Sequence, residues 1–210
     1  QPITLGLVET IESLIGGSDT ITAGIGRDII LGGIDADTIV ANFGEYGFDE
    51  NGQALGSDGD NIIIGDSGYI DWSAKDADRI YADTTTSGGG KLPGDNTDAS
   101  DIDRIFSTDP DHGGNDLITT GDGSDIIIGG EDGEIVSDVI IGVESDVART
   151  VAADLNGDGD TIDAGQGDNL VFGDNGRITA AGTTLTGHNF SSQPITLGLV
   201  ETIESLIGGS

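Results

Sequence analysis

Residues 14–40 read LIGGSDTIT, AGIGRDIIL and GGIDADTIV, three consecutive blocks of nine. Aspartate recurs at Asp19, Asp28 and Asp37, and isoleucine at Ile21, Ile30 and Ile39. In each block the first six positions form a glycine-rich stretch ending in aspartate, and the last three read as a short strand. Glycine tolerates left-handed backbone, so a tight turn can form every nine residues. Side chains alternate along a strand, so the isoleucine at the eighth position points opposite to its two neighbours. Two blocks then make one coil of 18 residues with two strands on opposite sides. Stacking such coils at the ~4.8 Å strand spacing lines the isoleucines into an inner ladder. Asp19 and Asp37 fall on one edge of the stack and Asp28 on the other.

The beat returns as Asp116, Asp125 and Glu134, with Ile118, Ile127 and Val136. It recurs in part at 155–178, where Asp160 and Asn169 are also nine apart. Residues 59–70, GDNIIIGDSGYI, match 167–178, GDNLVFGDNGRI, so Asp66 and Asp174 occupy equivalent G-D-[SN]-G turns. Residues 1–18, QPITLGLVETIESLIGGS, recur without a change at 193–210. Chance does not produce such an identity, and it marks a tandem array with a period of 193 − 1 = 192 residues. The unit divides into two diverged halves. One covers 1–64, with a beat block at 14–40, an insert at 41–58 and a closing strand at 59–64. The other covers 65–172, with a connector at 65–112, a block at 113–136, an insert at 137–157 and a further block at 158–172. Residues 173–210 open the next half. Alternating runs at 69–72, 78–83, 101–108 and 196–206 read as connector strands. The one stretch with any helical character is 145–155, and 84–100 reads as a loop.

Charge decides what the stacked aspartates require. The chain has 210 residues with 39 acidic and 7 basic side chains, a formal net charge of −32. Such a surface repels phosphate backbones and anionic membranes, which excludes nucleic acid as a partner. No run approaches the ~18 apolar residues of a membrane span. Carboxylates stacked about 5 Å apart repel one another unless a cation lies between them. A hard divalent cation with flexible oxygen coordination fits best, and calcium accepts 6–8 oxygens where magnesium demands a strict octahedron. Cysteine is absent and the two histidines are isolated in sequence, which argues against zinc and against a disulfide framework. The alternative is a metal-free solenoid whose aspartates only cap turns.

These blocks resemble the calcium-binding nonapeptides of the repeats-in-toxin (RTX) family, over 14–40 and 111–136 and partly over 155–178. The resemblance implies an all-β fold: right-handed parallel β-roll or β-solenoid segments with calcium held at the glycine-aspartate turns of both edges. It also implies export by a one-step (type I) secretion route, with folding after export. The candidate calcium ligands are Asp19, Asp28, Asp37, Asp116, Asp125, Asp160, Asn169, Asp66 and Asp174. Asp35 and Asp132 at the fourth position of their blocks, and Glu134 in place of an aspartate, depart from the pattern and reshape their sites. A separate turn, DLNGDGD (154–160), carries Asp154, Asn156 and Asp158 in the order of the first half of an EF-hand loop. Its twelfth position is Gly165, so it reads either as a calcium turn of another kind or as a plain polar turn.

The strands at 29–31, 62–64, 126–128 and 170–172 read IIL, III, III and LVF, apolar at every position. Strands of that kind are buried on both faces, so β-rich connectors or a neighbouring unit should pack on the outside of the roll. No pairing of His112 or His188 with a nucleophile stands out among so many carboxylates, and no enzymatic activity is expected. The expected role is a calcium-stabilised tandem structural repeat of a long extracellular or cell-surface protein: an adhesin extender, surface layer or filament subunit. Its partners would be calcium, neighbouring units of the same chain and other chains of a filament. Two alternatives stay open. One is the calcium-dependent carrier region of an exported toxin or enzyme. The other is a binding module that grips a surface through the loop at 84–100.

Overall fold

A computed structural model describes residues 5–45, 47, 50–53, 56, 59–72, 102–131, 133–134, 159–180, 190 and 193–203. The expected helix at 145–155, the strand at 78–83, the loop at 84–100 and His188 lie outside the described residues. Within them the chain is all-β, with fourteen strands in three sheets.

Two sheets are parallel, and the chain passes repeatedly between them. The first contains β2 (Thr20–Gly24), β4 (Thr38–Phe43), β8 (Leu117–Thr119), β10 (Gly133–Glu134) and β11 (Asp160–Asp163), in the order β10-β11-β8-β4-β2. The second contains β3 (Ile29–Leu31), β5 (Ile62–Ile64), β9 (Ile126–Ile128) and β12 (Leu170–Phe172), in the order β12-β9-β5-β3. The register places the eighth-position residues in two rows. Ile21, Ile39, Ile118 and Ile162 align across the first sheet. Ile30, Ile63, Ile127 and Val171 align across the second. The two rows meet in one buried core, the consequence of an apolar residue at the same pleat position of every block.

The third sheet is antiparallel. It is built from β1 (Leu7–Glu9), β6 (Gly68–Asp71), β7 (Arg104–Ser107), β13 (Gly176–Ala180) and β14 (Leu197–Thr202), in the order β1-β6-β7-β13-β14. Ile70, Ile105 and Ile178 align across it and pack against Ile62, Ile64, Ile126, Ile128 and Phe172 of the second parallel sheet. Trp72, Ile102 and Ile195 complete this second core. The connectors therefore cover the apolar outer face of the second sheet, as its all-apolar strands require. The first sheet needs no such cover, because threonines take the flanking positions at Thr20, Thr22, Thr38, Thr119 and Thr161. Composition thus sorts the strands of the two parallel sheets: the all-apolar ones lie between two layers, and the mixed ones leave Thr20, Thr22, Thr38 and Thr119 at least partly exposed.

Candidate metal centre

Both edges of the two parallel sheets carry a column of carboxylate or amide side chains, one per level. At the edge where each strand of the first sheet begins, the column is Asp19, Asp37, Asp116 and Asp160. Each backbone N–H donates to the Oδ1 of the next aspartate: Asp19 N to Asp37 at 2.6 Å, Asp37 N to Asp116 at 2.7 Å, and Asp116 N to Asp160 at 2.7 Å. The ladder bonds of the sheet continue alongside, from Thr38 N to Asp19 O, Leu117 N to Asp37 O and Thr161 N to Asp116 O. One carboxylate oxygen per rung is therefore consumed in holding the turn above it.

The other oxygen has a different fate. Asp37 and Asp116 are 2 % exposed, and the Oδ2 of each is buried with no hydrogen-bond partner. A β-carbon built on Gly65 would collide with Asp116 Oδ2 and with the carbonyl oxygen of Gly129. The same pairing recurs at Gly32, against Asp37 Oδ2 and Gly65 O, and at Gly129, against Asp160 Oδ2 and Gly173 O. At three successive levels, then, an aspartate oxygen and a peptide oxygen converge beside a glycine that leaves the space open. Burial is the largest cause raising Asp37 and Asp116 above the ordinary carboxylate range, and it pushes Asp116 up to about 9. The neighbouring charges of Asp160, Asp66 and Asp37 add to the shift at Asp116.

The opposite edge alternates. Its column is Asp28, Asn61, Asp125 and Asn169, with the same bonding: Asp28 N to Asn61 Oδ1 at 2.9 Å, Asn61 N to Asp125 Oδ1 at 2.7 Å, and Asp125 N to Asn169 Oδ1 at 2.9 Å. The amides also donate, Asn61 Nδ2 to Thr120 O at 3.4 Å and Asn169 Nδ2 to Ala164 O at 2.8 Å. Every second rung thus satisfies its own second group without a cation.

Three further acidic groups buttress the turns. Asp66 accepts from Gly114 N at 3.1 Å and Glu131 N at 2.6 Å, clamping two turns of the all-aspartate edge, and burial pushes it up to about 8. Glu45 accepts from Asp122 N through both oxygens, at 3.0 and 3.1 Å. Asp60 accepts from Ser124 N at 2.9 Å and lies 3.4 Å from Arg27.

The sequence-derived candidates distribute as follows. Asp19, Asp37, Asp116 and Asp160 form one column, and Asp28, Asp125 and Asn169 belong to the other. Asp35 is exposed in the turn above Asp37, with φ 70°, and its charge contributes to raising Asp37. Asp174 is half-buried, with Oδ1 buried and lacking a hydrogen-bond partner. Asp132, Asp154, Asn156 and Asp158 lie outside the described residues. The nine-residue beat placed Glu134 as the rung after Asp116 on this edge, and the structure gives that rung to Asp160. Glu134 aligns with Thr161, one strand farther out. The reason is packing, since the strand headed by Asp160 carries Ile162, 3 % exposed, into the inner row beside Ile118.

Reading the sequence alone missed Asn61, Glu45, Asp60 and Gln193. Asn61 and Asp60 were legible, because GDN at 59–61 repeats the GDN that contains Asn169. Glu45 lies in an irregular insert and carries no signal. Gln193 is buried, and its Nε2 donates to Asn61 O at 2.9 Å and Ser124 O at 2.8 Å, tying the recurring segment to the alternating edge.

The donor set of the all-aspartate edge fits a hard cation: anionic and peptide oxygens, no nitrogen or sulfur, and buried like charges in need of compensation. Among the described residues no three acidic or histidine side chains converge on one point. Any site here therefore draws on peptide carbonyls as well as carboxylates, as the glycine-flanked pairs do.

Residues 15–45, 112–133 and 155–177 match the model of the RTX calcium-binding nonapeptide repeat, in four copies. The chain carries RTX-type repeats and is, over those segments, a calcium-binding repeat region. Repeats of this kind are typical of exported proteins. Searches of curated proteins and of solved structures returned no match.

Proposed function

We propose that the chain is a tandem structural unit of a long extracellular protein, in which calcium at the all-aspartate edge closes the two parallel sheets into a β-roll. The observation that carries this reading is the row of buried aspartate oxygens, at Asp37 and Asp116, each facing a glycine carbonyl and lacking a hydrogen-bond donor. Asp37, Asp116 and Asp160, with the carbonyls of Gly65, Gly129 and Gly173, would hold the ions. Bound calcium supplies the positive charge that lets stacked carboxylates ionise inside the fold. The chain's own contribution is to fix one oxygen of each aspartate on a backbone N–H, so that the other is already oriented before the ion arrives.

The 192-residue recurrence supports a mechanical role over the carrier region of an exported enzyme, since a carrier needs no large repeated unit. An adhesin extender, surface layer or filament subunit all use such a unit. Extracellular calcium modules bind with dissociation constants of roughly 10⁻⁴–10⁻³ M. At ten times that concentration each site contributes about 1.4 kcal/mol to folding. Several sites of that size amount to a switch between unfolded and folded chain. Circular dichroism tests this: calcium added to chelated protein should produce a large gain in β signal and a cooperative melt. An unchanged spectrum would remove calcium from the account.

A further inference from the structure

We propose that the recurring strand is two-sided: between consecutive units it pairs with β13 of the unit before it and with β6 of its own unit at once. The antiparallel sheet would then run unbroken from unit to unit. The proposal rests on the tandem reading above.

The chain contains this strand twice, as residues 5–11 and 197–203, and the structure places the two copies at opposite edges of one sheet. They use opposite sides of the backbone. In the first copy Thr10 N donates to Gly68 O at 3.0 Å and Gly6 O accepts from Trp72 N at 2.8 Å, so the even-numbered residues face β6. In the second copy Ile203 N donates to Asn175 O at 3.1 Å, and Ile203 is the counterpart of Ile11. Successive residues of a strand direct their N–H and C=O to alternate sides. The side turned to β13 in the second copy is therefore the side turned away from β6 in the first. From Leu199 to Ile203, beyond the register shift between Leu197 and Leu199, one strand can make both sets of bonds without conflict.

The pattern of exposure is complementary in the same way. Leu5 is 39 % and Ile11 78 % exposed, whereas their counterparts Leu197 and Ile203 are half-buried. Leu199 is 41 % and Val200 39 % exposed, whereas Leu7 and Val8 are half-buried. Every apolar position of the strand is covered in one copy or the other, and pairing on both sides would cover all of them together. Ile70, Ile105 and Ile178 form one row of the sheet, with Val8 beyond Ile70 and Val200 beyond Ile178. Superposing the valines makes this row continuous across the junction. An exposed apolar edge strand is otherwise a liability for a soluble chain.

The dimensions also agree. Each unit contributes four strands to the antiparallel sheet, β1, β6, β7 and β13, and four to the second parallel sheet, β3, β5, β9 and β12. These two layers then advance together by roughly 19 Å per unit at the usual strand spacing, while the two-residue β10 adds a fifth strand at the edge of the first parallel sheet. Upstream of the strand, Gln193 and Ile195 are already buried in the preceding unit, and Ile102 N donates to Pro194 O at 2.7 Å. The junction is thus a shared element rather than a linker.

Amide hydrogen exchange in calcium, comparing this chain with one carrying a further 192-residue copy, tests the proposal. In the present chain the amides of Val200 and Thr202 should exchange fast, and in the longer chain on the order of a hundredfold slower. Fast exchange there while the Asp37 and Asp116 amides stay protected would overturn the junction and leave calcium folding intact. Fast exchange at Asp37 and Asp116 as well would overturn both. A second variant, Thr202→Pro in the longer chain, removes a donor only from the side facing β6. It should abolish the protection of Val200 while leaving Asp37 and Asp116 protected, because the lost N–H belongs to the side facing β6 and takes no part in the parallel sheets. Val200 protection that survives this substitution would overturn the proposal.

Discussion

The two edges of the parallel sheets use one hydrogen-bond scheme and differ in charge. On one edge four rungs are aspartate, and on the other aspartate alternates with asparagine. In both, Oδ1 accepts from the backbone of the previous level, so the scaffolding function needs only an oxygen acceptor. Asparagine fulfils it as well as aspartate and then donates its amide to a nearby carbonyl. Aspartate on a buried, crowded edge leaves an anionic oxygen that only a cation or a proton can compensate. Asp28 and Asp125 on the alternating edge also carry a buried Oδ2, but neutral amides separate their charges. The other edge stacks aspartate on aspartate, which is why the proposed calcium sites are put there.

The sharpest way to break this distinction is Asp116→Asn. The substitution keeps the acceptor for Asp37 N–H and deletes the crowded charge. It should raise the calcium midpoint of folding roughly tenfold, about 1.4 kcal/mol, while stabilising the calcium-free chain. Calcium titrations followed by circular dichroism read both effects, and equal loss of stability with and without calcium would contradict the assignment.

Acidity should act in the same sense. Asp66 and Asp116 sit at about 8 and about 9 in the folded chain, against roughly 3.9 when unfolded. The folded state then binds more protons than the unfolded state between those limits, so calcium-free stability is greatest below the unfolded value and is lost as pH rises toward about 9. Calcium, which displaces those protons, should bind more tightly across the same rise. Calorimetry at pH 4.5 and pH 8, with chelator and with calcium, is expected to give melting temperatures that move in opposite directions. Parallel movement would mean that the ion binds elsewhere.

A smaller effect is expected from making the second edge resemble the first. Asn61→Asp leaves three aspartates in succession and removes the bond to Thr120 O. The calcium-free chain should lose about 1 kcal/mol, and isothermal titration should count additional bound calcium. The smallest effect belongs to Asp125→Asn, whose neighbours Asn61 and Asn169 carry no charge. Its calcium midpoint should shift less than about threefold, half the free energy of a tenfold change. A shift as large as that of Asp116→Asn would erase the difference between the edges.

Much of this was legible from short-range spacing. The aspartates nine apart placed Asp19 and Asp37 on one edge and Asp28 on the other, because a fixed block length fixes which side each turn faces. The isoleucine at the eighth position defined the inner rows. The all-apolar runs at 29–31, 62–64, 126–128 and 170–172 announced strands covered on both faces, and all four lie in the sheet under the connectors. Asn61 could have been read from its repeat at Asn169. Glu45 could not, because an insert of irregular sequence gives no phase by which to place it.

The period, the sorting of side chains between edge and interior, and the recurrence of one strand are all written in the order of residues. A pleat and a turn are local, and their spacing is written in consecutive residues. Which levels are neighbours was decided only by the tertiary structure. Asp160 rather than Glu134 follows Asp116 because the buried Ile162, two residues on, takes its place in the inner row beside Ile118. The tertiary structure also decided that the two copies of the recurring strand occupy opposite edges of one sheet. Hydrogen-bond partners between distant strands depend on packing across the whole fold, and no local pattern encodes them.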